Sequence, residues 1–283
     1  MTEQTALELE ISDAASATRA KIAPNRGGMV TSFEVRGRPI FFLDRASFLD
    51  ETKNVRGGNP VLFPTPGKLV GDRWERAGES GVLPQHGFAR NRAWEVVRSV
   101  TDSVTLRLES DPSTRAVYPW DFRVDLSYRV GEGTLHTGVE IENRSKRAMP
   151  FGFGFHPYFA IRDKTTFALE STATRAFDNV TKREVSFDAR SLDVASVEVD
   201  LHVLDHGART MSFAFDGTSK ITLELQTEQP HWVLWSLPGK DFVCVEPWTC
   251  PGNAMNTGER LTVLEARETR TFSLAYRVHG PAL

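Results

Sequence analysis

The chain has 283 residues, 40% of them hydrophobic and 25% charged, a globular balance that argues against disorder. Its 34 Lys+Arg against 37 Asp+Glu leave a net charge of −3, which speaks against nucleic acid, whose binding needs a concentrated cationic face. No apolar run approaches the roughly 20 residues of a membrane helix, MTEQTALELE lacks the basic and apolar regions of a signal peptide, and two cysteines cannot build a disulfide framework; a cytoplasmic protein without membrane or nucleic-acid partners is expected.

The dominant period is two. Strands are predicted at Leu7–Ile11 and Val30–Val35, followed by the turn formers Gly57-Gly58-Asn59-Pro60. Leu83–Arg90 then reads as a turn entering a strand at Trp94–Val97, with Pro84 and Gly87 bracketing His86. Another strand is expected at Val104–Leu108. Phe122, Val124, Leu126, Tyr128 and Val130 alternate with polar residues, as do Leu135, Thr137, Val139 and Ile141 after Gly131-Glu132-Gly133-Thr134; this is the pattern of a half-buried hairpin. In Phe151–Phe159 the alternation puts three Phe on one face and Gly152, Gly154 and His156 on the other. Residues 171–210 are polar and mixed, and carry a strand or two. Ile221–Leu225, Trp232–Leu237, Phe242–Glu246 and Thr271–Val278 complete the series. No stretch of 12 or more residues has a helical period, and no linker interrupts the strand signals. The expectation is an all-β, single-domain sandwich of large twisted antiparallel sheets over residues 1–283.

Three segments carry the candidate chemistry. Glycine inside a strand often marks a close approach by a ligand or another backbone, which draws attention to Gly152 and Gly154 before His156. Glu246 closes an apolar strand, and desolvation there raises a carboxyl from about 4.3 toward the range useful for proton transfer. Trp248 beside it offers a flat surface on which a sugar ring packs. His86, His156 and Glu246 together supply an acid, a base and an orienting partner. Two His and a Glu also make a zinc donor set, but their spacing matches no compact metal motif, so neither metal nor cofactor is expected. Walker A, dinucleotide-binding and nucleophile-elbow motifs are missing.

In Gly57–Pro64, Leu83–Arg90, Gly154–Phe159, Trp235–Pro238, Phe242–Thr249 and Asn253–Leu261 the sequence resembles the aldose 1-epimerase (galactose mutarotase) family. That resemblance implies a galactose mutarotase-like supersandwich with an open sugar cleft. It gives Glu246 the role of general base, His156 that of the acid at the ring oxygen, and His86 that of a second active-site His polarising the sugar. Asp205 matches an acidic residue holding sugar hydroxyls. Where galactose mutarotases place an Asn-Arg pair, this chain has Thr65-Pro66-Gly67-Lys68-Leu69, so Lys68 brings a cation without the planar fork of Arg. Related hexose-6-phosphate epimerases carry an Arg before the Gly-Gly, as Arg56 stands here, and another near the His-Gly-Phe block, where this chain has Gln85 before His86 and Arg90 after it. The expected substrate is a free or phosphorylated hexose and the expected protein a monomer or homodimer. A non-catalytic carbohydrate binder and a polysaccharide-acting enzyme are alternatives on the same scaffold. Mutarotation further implies a Glu246 value raised from the usual range and a His156 near its ordinary value of about 6.5, the two facing each other across a hexose-sized gap.

Overall fold

The computed structural model describes residues 8–76, 78–227 and 229–280. Among the described residues the regular structure is almost entirely strand, and the ladders between these strands are antiparallel. One eight-stranded sheet has the order Ala168–Glu170, Thr210–Ala214, Lys220–Leu225, Thr269–His279, Thr134–Asn143, Phe122–Gly131, Ser103–Glu109, Glu95–Ser99. A second runs Arg183–Ser186, Arg175–Asp178, Val199–Val203, His231–Ser236, Val243–Trp248, Gly154–Phe155, Val61–Leu62, with Tyr158–Phe159 also pairing to Val243–Trp248. A four-stranded sheet, Leu9–Asp13 through Arg38–Pro39, stands beside them. Among the described residues helices are limited to single short turns such as Arg45–Leu49 and Ala254–Thr257.

Alternation explains the first sheet. Phe122, Val124, Leu126, Tyr128 and Val130 are buried, while Arg123 and Asp125 face outward in ion pairs with Glu140 and Arg107. The hairpin closes on Glu132 and Gly133, both at positive φ, which matches the right-handed twist of the flanking strands. The core lies where the two large sheets meet: Phe159 packs on Phe213 at 4.8 Å and Phe153 on Phe272 at 5.0 Å between ring centroids. Such edge-on aromatic pairs add about 0.5–1.5 kcal/mol beyond burial.

Several elements differ from the sequence expectation. The first strand is Leu9–Asp13, and Leu7 lies outside the described residues. Thr18–Ala23 is an additional strand, whose inward Thr18 and Ala20 are too small or polar to register as a hydrophobic face. Residues 171–210 hold three strands, Arg175–Asp178, Arg183–Ser186 and Val199–Val203; the middle one lies at the sheet edge and is mostly exposed, so no burial pattern marks it. The three aromatic residues Phe151, Phe153 and Phe155 are all buried, but they span two separate pairings, to Thr262–Leu264 and to Val61–Leu62. The Glu246 strand is Val243–Trp248 and runs past Glu246, with all six residues buried.

Candidate active site

Strand register brings the two principal candidates together. Gly154 pairs with Trp248 and Tyr158 with Cys244, so the same register sets His156 opposite Glu246. Pro157 and Pro247 follow these two residues and have no N–H to continue the ladder, which leaves both side chains free to aim into a cavity. Gly154 is needed here, because a Cβ would lie 2.6 Å from Trp248 Cδ1. The close approach expected at these glycines is therefore made by Trp248, and at Gly152 by Cys250 and Pro66.

His156 Nε2 lies 3.4 Å from Glu246 Oε1. Trp248 Nε1 donates to Glu246 Oε2 at 3.2 Å, and the His156 ring stacks on Tyr158 at 4.8 Å. The two candidate proton carriers touch, so the hexose-sized gap expected between them does not exist, and any substrate served by both would have to lie over the pair. Burial, reinforced by the charge of Asp200, pushes the Glu246 carboxyl well above the usual range. Burial and then Arg90 push His156 down to about 3. This corrects the expectation of an ordinary imidazole: His156 Nδ1 is buried with no partner among the described residues, and nothing there holds a second proton.

His86 reaches the same place from a turn closed by Gly87 N–H donating to Pro84 O at 2.9 Å. Gly87 sits at φ 70, where a Cβ would strike Phe63 O at 2.2 Å; only glycine fits. His86 itself has φ 69 and is held by Gly67, whose carbonyl accepts from His86 N and whose N–H donates to His86 Nδ1 at 3.0 Å. The His86 proton is thereby placed on Nε2, an atom that also lies 3.3 Å from the Gln85 side-chain amide. The ring meets His156 edge-on at 5.4 Å, and burial depresses its value well below the ordinary one.

These residues line a cavity of about 1020 Å³ together with Arg56, Lys68, Gln85, Arg90 and Trp248, at the top of the size range of small-molecule sites. Trp248 is only 3% exposed and is occupied in bracing Glu246, so it offers little ring face to a sugar. Trp235 is the more open aromatic, with the Arg56 guanidinium 5.9 Å over its ring. Arg90 Nη2 donates to Gln85 O at 2.9 Å, while its buried Nε has no partner among the described residues.

The structure does not bring Asp205 to the cleft. It lies beyond the end of Val199–Val203, and its carboxylate accepts from Thr174 N, Thr174 Oγ1 and Arg175 N at 2.8–3.1 Å, tying down the start of the next strand. Asp200, His202 and His231 line the cleft instead. The sequence signal of the first two was the alternation Val199-Asp200-Leu201-His202-Val203, hidden in a polar stretch. A metal-like grouping also differs from the one the sequence suggested: ligand atoms of His156, Cys244 and Glu246 lie within 4.8 Å of one another. Cys244 is fully buried, and burial pushes its thiol well above its usual value.

A family model described as aldose 1-epimerase matches residues 9–277. The solved Slr1438 protein from Synechocystis sp. PCC 6803 is 35% identical with a TM-score of 0.94, over 99% of this chain and 98% of that one. A galactose mutarotase-like protein from Lactobacillus casei ATCC 334, 20% identical with a TM-score of 0.77 over 96% of this chain and 100% of that one, has the same fold. A Cenchrus ciliaris protein named "Putative glucose-6-phosphate 1-epimerase" is 26% identical over 258 residues, 78% of this chain and 72% of that protein.

Proposed function

The chain belongs to the aldose 1-epimerase family, and from that premise we propose that it interconverts the α and β anomers of a hexose with Glu246 and His156 as its proton carriers. The observation that carries the reading is their 3.4 Å contact inside one cavity. O1 and O5 of a pyranose sit on the same carbon, so two adjacent proton carriers suit them. Burial disfavours the charged form of each member, so in the free protein the pair holds one proton, on Glu246. Ring opening needs that count, one group to take a proton and one to give it. With Glu246 toward O1 and His156 toward O5, the assignment the family resemblance implies, the proton passes to His156 across the contact. Glu246 then takes the O1 proton, the C1–O5 bond breaks, and His156 protonates O5. The open-chain aldehyde turns about C1–C2 and closes on its other face with the transfers reversed. His86 Nε2–H donates to a sugar oxygen. The test is polarimetric equilibration of freshly dissolved α-D-glucose, α-D-galactose and α-D-glucose 6-phosphate; a rate equal to buffer for all three would leave a sugar binder and refute the enzyme.

The pH profile follows from the shifts. His156 stays a neutral base until the pH falls to about 3, and Glu246 keeps its proton above the ordinary carboxylate range, losing it only as pH rises through its raised value. Burial lowers His86, His202 and His231 as well. No cleft imidazole therefore titrates at about 6.5, and kcat/KM, which reports the free enzyme, is expected to show no acid limb at that pH. An acid limb centred there would contradict this.

A phosphorylated hexose is the second reading, favoured by charge in the cleft. Glu184 is paired with Arg175 and Glu259 with Arg260, whereas the lining cations Arg56, Lys68, Arg90 and Lys182 make no ion pair among the described residues. Arg56 and Lys68 are exposed, so removing them leaves the fold intact. Arg56→Met and Lys68→Met are each expected to raise KM for α-D-glucose 6-phosphate about tenfold, leaving that for α-D-glucose within about twofold. Equal changes for both sugars would reject a phosphate subsite. Among the described residues no helix is long and apolar enough to cross a membrane. A single domain spanning 1–283, cytoplasmic and monomeric or dimeric, completes the proposal.

A further inference from the structure

We propose that His202 donates its Nε2 proton to a hydroxyl of the sugar, and that Arg260, acting through His231, is the positioning residue that keeps that proton there; this rests on the sugar-epimerase reading above. Three side chains form a line leading away from the cleft. Arg260 Nη2 lies 2.8 Å from His231 Nδ1, and His231 Nε2 lies 2.8 Å from His202 Nδ1. A guanidinium can only donate. His231 Nδ1 must therefore accept, which puts the proton of the neutral ring on Nε2. That N–H points at His202 Nδ1, which must accept in turn, so the His202 proton is on Nε2 as well. The direction of the whole chain is set by the one member that cannot reverse.

His231 is buried and pushed well below its ordinary value, and His202 is lowered to about 4, burial being the first cause for both. Both rings are neutral at pH 7, as the tautomer argument requires. His202 lines the cavity, and its Nε2 has no protein partner among the described residues. Asp200 lies two positions earlier on the same strand, so the two side chains share a face. Asp200 accepts from Asn179 Nδ2 at 2.7 Å and keeps a second oxygen as acceptor. The strand thus offers an acceptor beside a donor, and the Trp248 ring that braces Glu246 packs edge-on against His202 at 5.4 Å. A hydroxyl held by His202 is consequently fixed relative to the proton carriers.

The experiment uses protein labelled with ¹⁵N in the imidazoles of its seven histidines, with His202 assigned by His202→Gln. Long-range ¹H–¹⁵N correlation is expected to show His202 and His231 protonated at Nε2 and bare at Nδ1, and α-D-glucose is expected to shift His202 Nε2. In Arg260→Met the direction is no longer imposed. Part of the His202 signal is expected to move to the Nδ1–H form, with KM for α-D-glucose rising about tenfold and kcat staying within about twofold; Arg260→Lys, also a pure donor, restores both. A merely structural role for Arg260 would lower the folded fraction and leave KM unchanged. His202→Gln, which keeps a donor, is expected to hold KM within about threefold, and His202→Leu to raise it about tenfold. A wild-type His202 protonated at Nδ1, or an unchanged KM in His202→Leu, overturns the proposal. The tautomer measurement needs no turnover, so a protein inactive on glucose would count against the epimerase reading while the spectra still decide the relay.

Discussion

Glu246→Gln is expected to reduce the polarimetric rate by about 10²–10⁴-fold, the usual contribution of a positioned acid–base group. The amide has the shape of the carboxyl it replaces. Its oxygen can accept from Trp248 Nε1 as Glu246 Oε2 does, and its nitrogen can donate to His156 Nε2, so no buried polar atom is orphaned. What disappears is the ability to take up and release a proton. Sugar binding, followed through the fluorescence of Trp235 and Trp248 in the cleft, is expected to persist within a few-fold. A variant that equilibrates anomers within about threefold of the wild-type rate would remove Glu246 from the chemistry.

His156→Asn is expected to cost a similar factor in kcat, and the double variant decides whether the two residues work as one device. In the proposed mechanism they exchange one proton across their 3.4 Å contact, so losing either leaves the other without a partner to complete the exchange. The loss in Glu246→Gln/His156→Asn is then expected to be close to that of the worse single variant, as for other catalytic residues that act as a unit. Losses that multiply to about 10⁴–10⁸ would mean two independent contributions and would dissolve the pair. Thermal unfolding monitored alongside separates this from misfolding, since removing the ring unstacks it from Tyr158.

The three candidate site residues were legible in the sequence because each sits in an unusual local context: His156 after two closely spaced glycines, Glu246 ahead of a proline in an apolar strand, His86 inside a Pro–Gly turn. The sequence pointed to Asp205 where Asp200 lines the cleft, because Asp200 stands at the start of a short strand in a polar stretch and Asp205 just past its end. Only pairing shows that Asp200 faces the cleft while Asp205 ties down Thr174 and Arg175. His231 gave no signal, since a lone histidine opening a strand has no pattern of its own.

The chain by itself determined the antiparallel strand architecture and the side chains able to move protons, because both rest on short-range properties: period-two burial, turn residues and side-chain chemistry. The tertiary structure decided the protonation behaviour and the direction of the donors. Depressing His156 to about 3 while raising Glu246 takes a shared, water-excluded wall built from segments ninety residues apart. Desolvation of that kind is a property of the packed wall, and no single segment contains it.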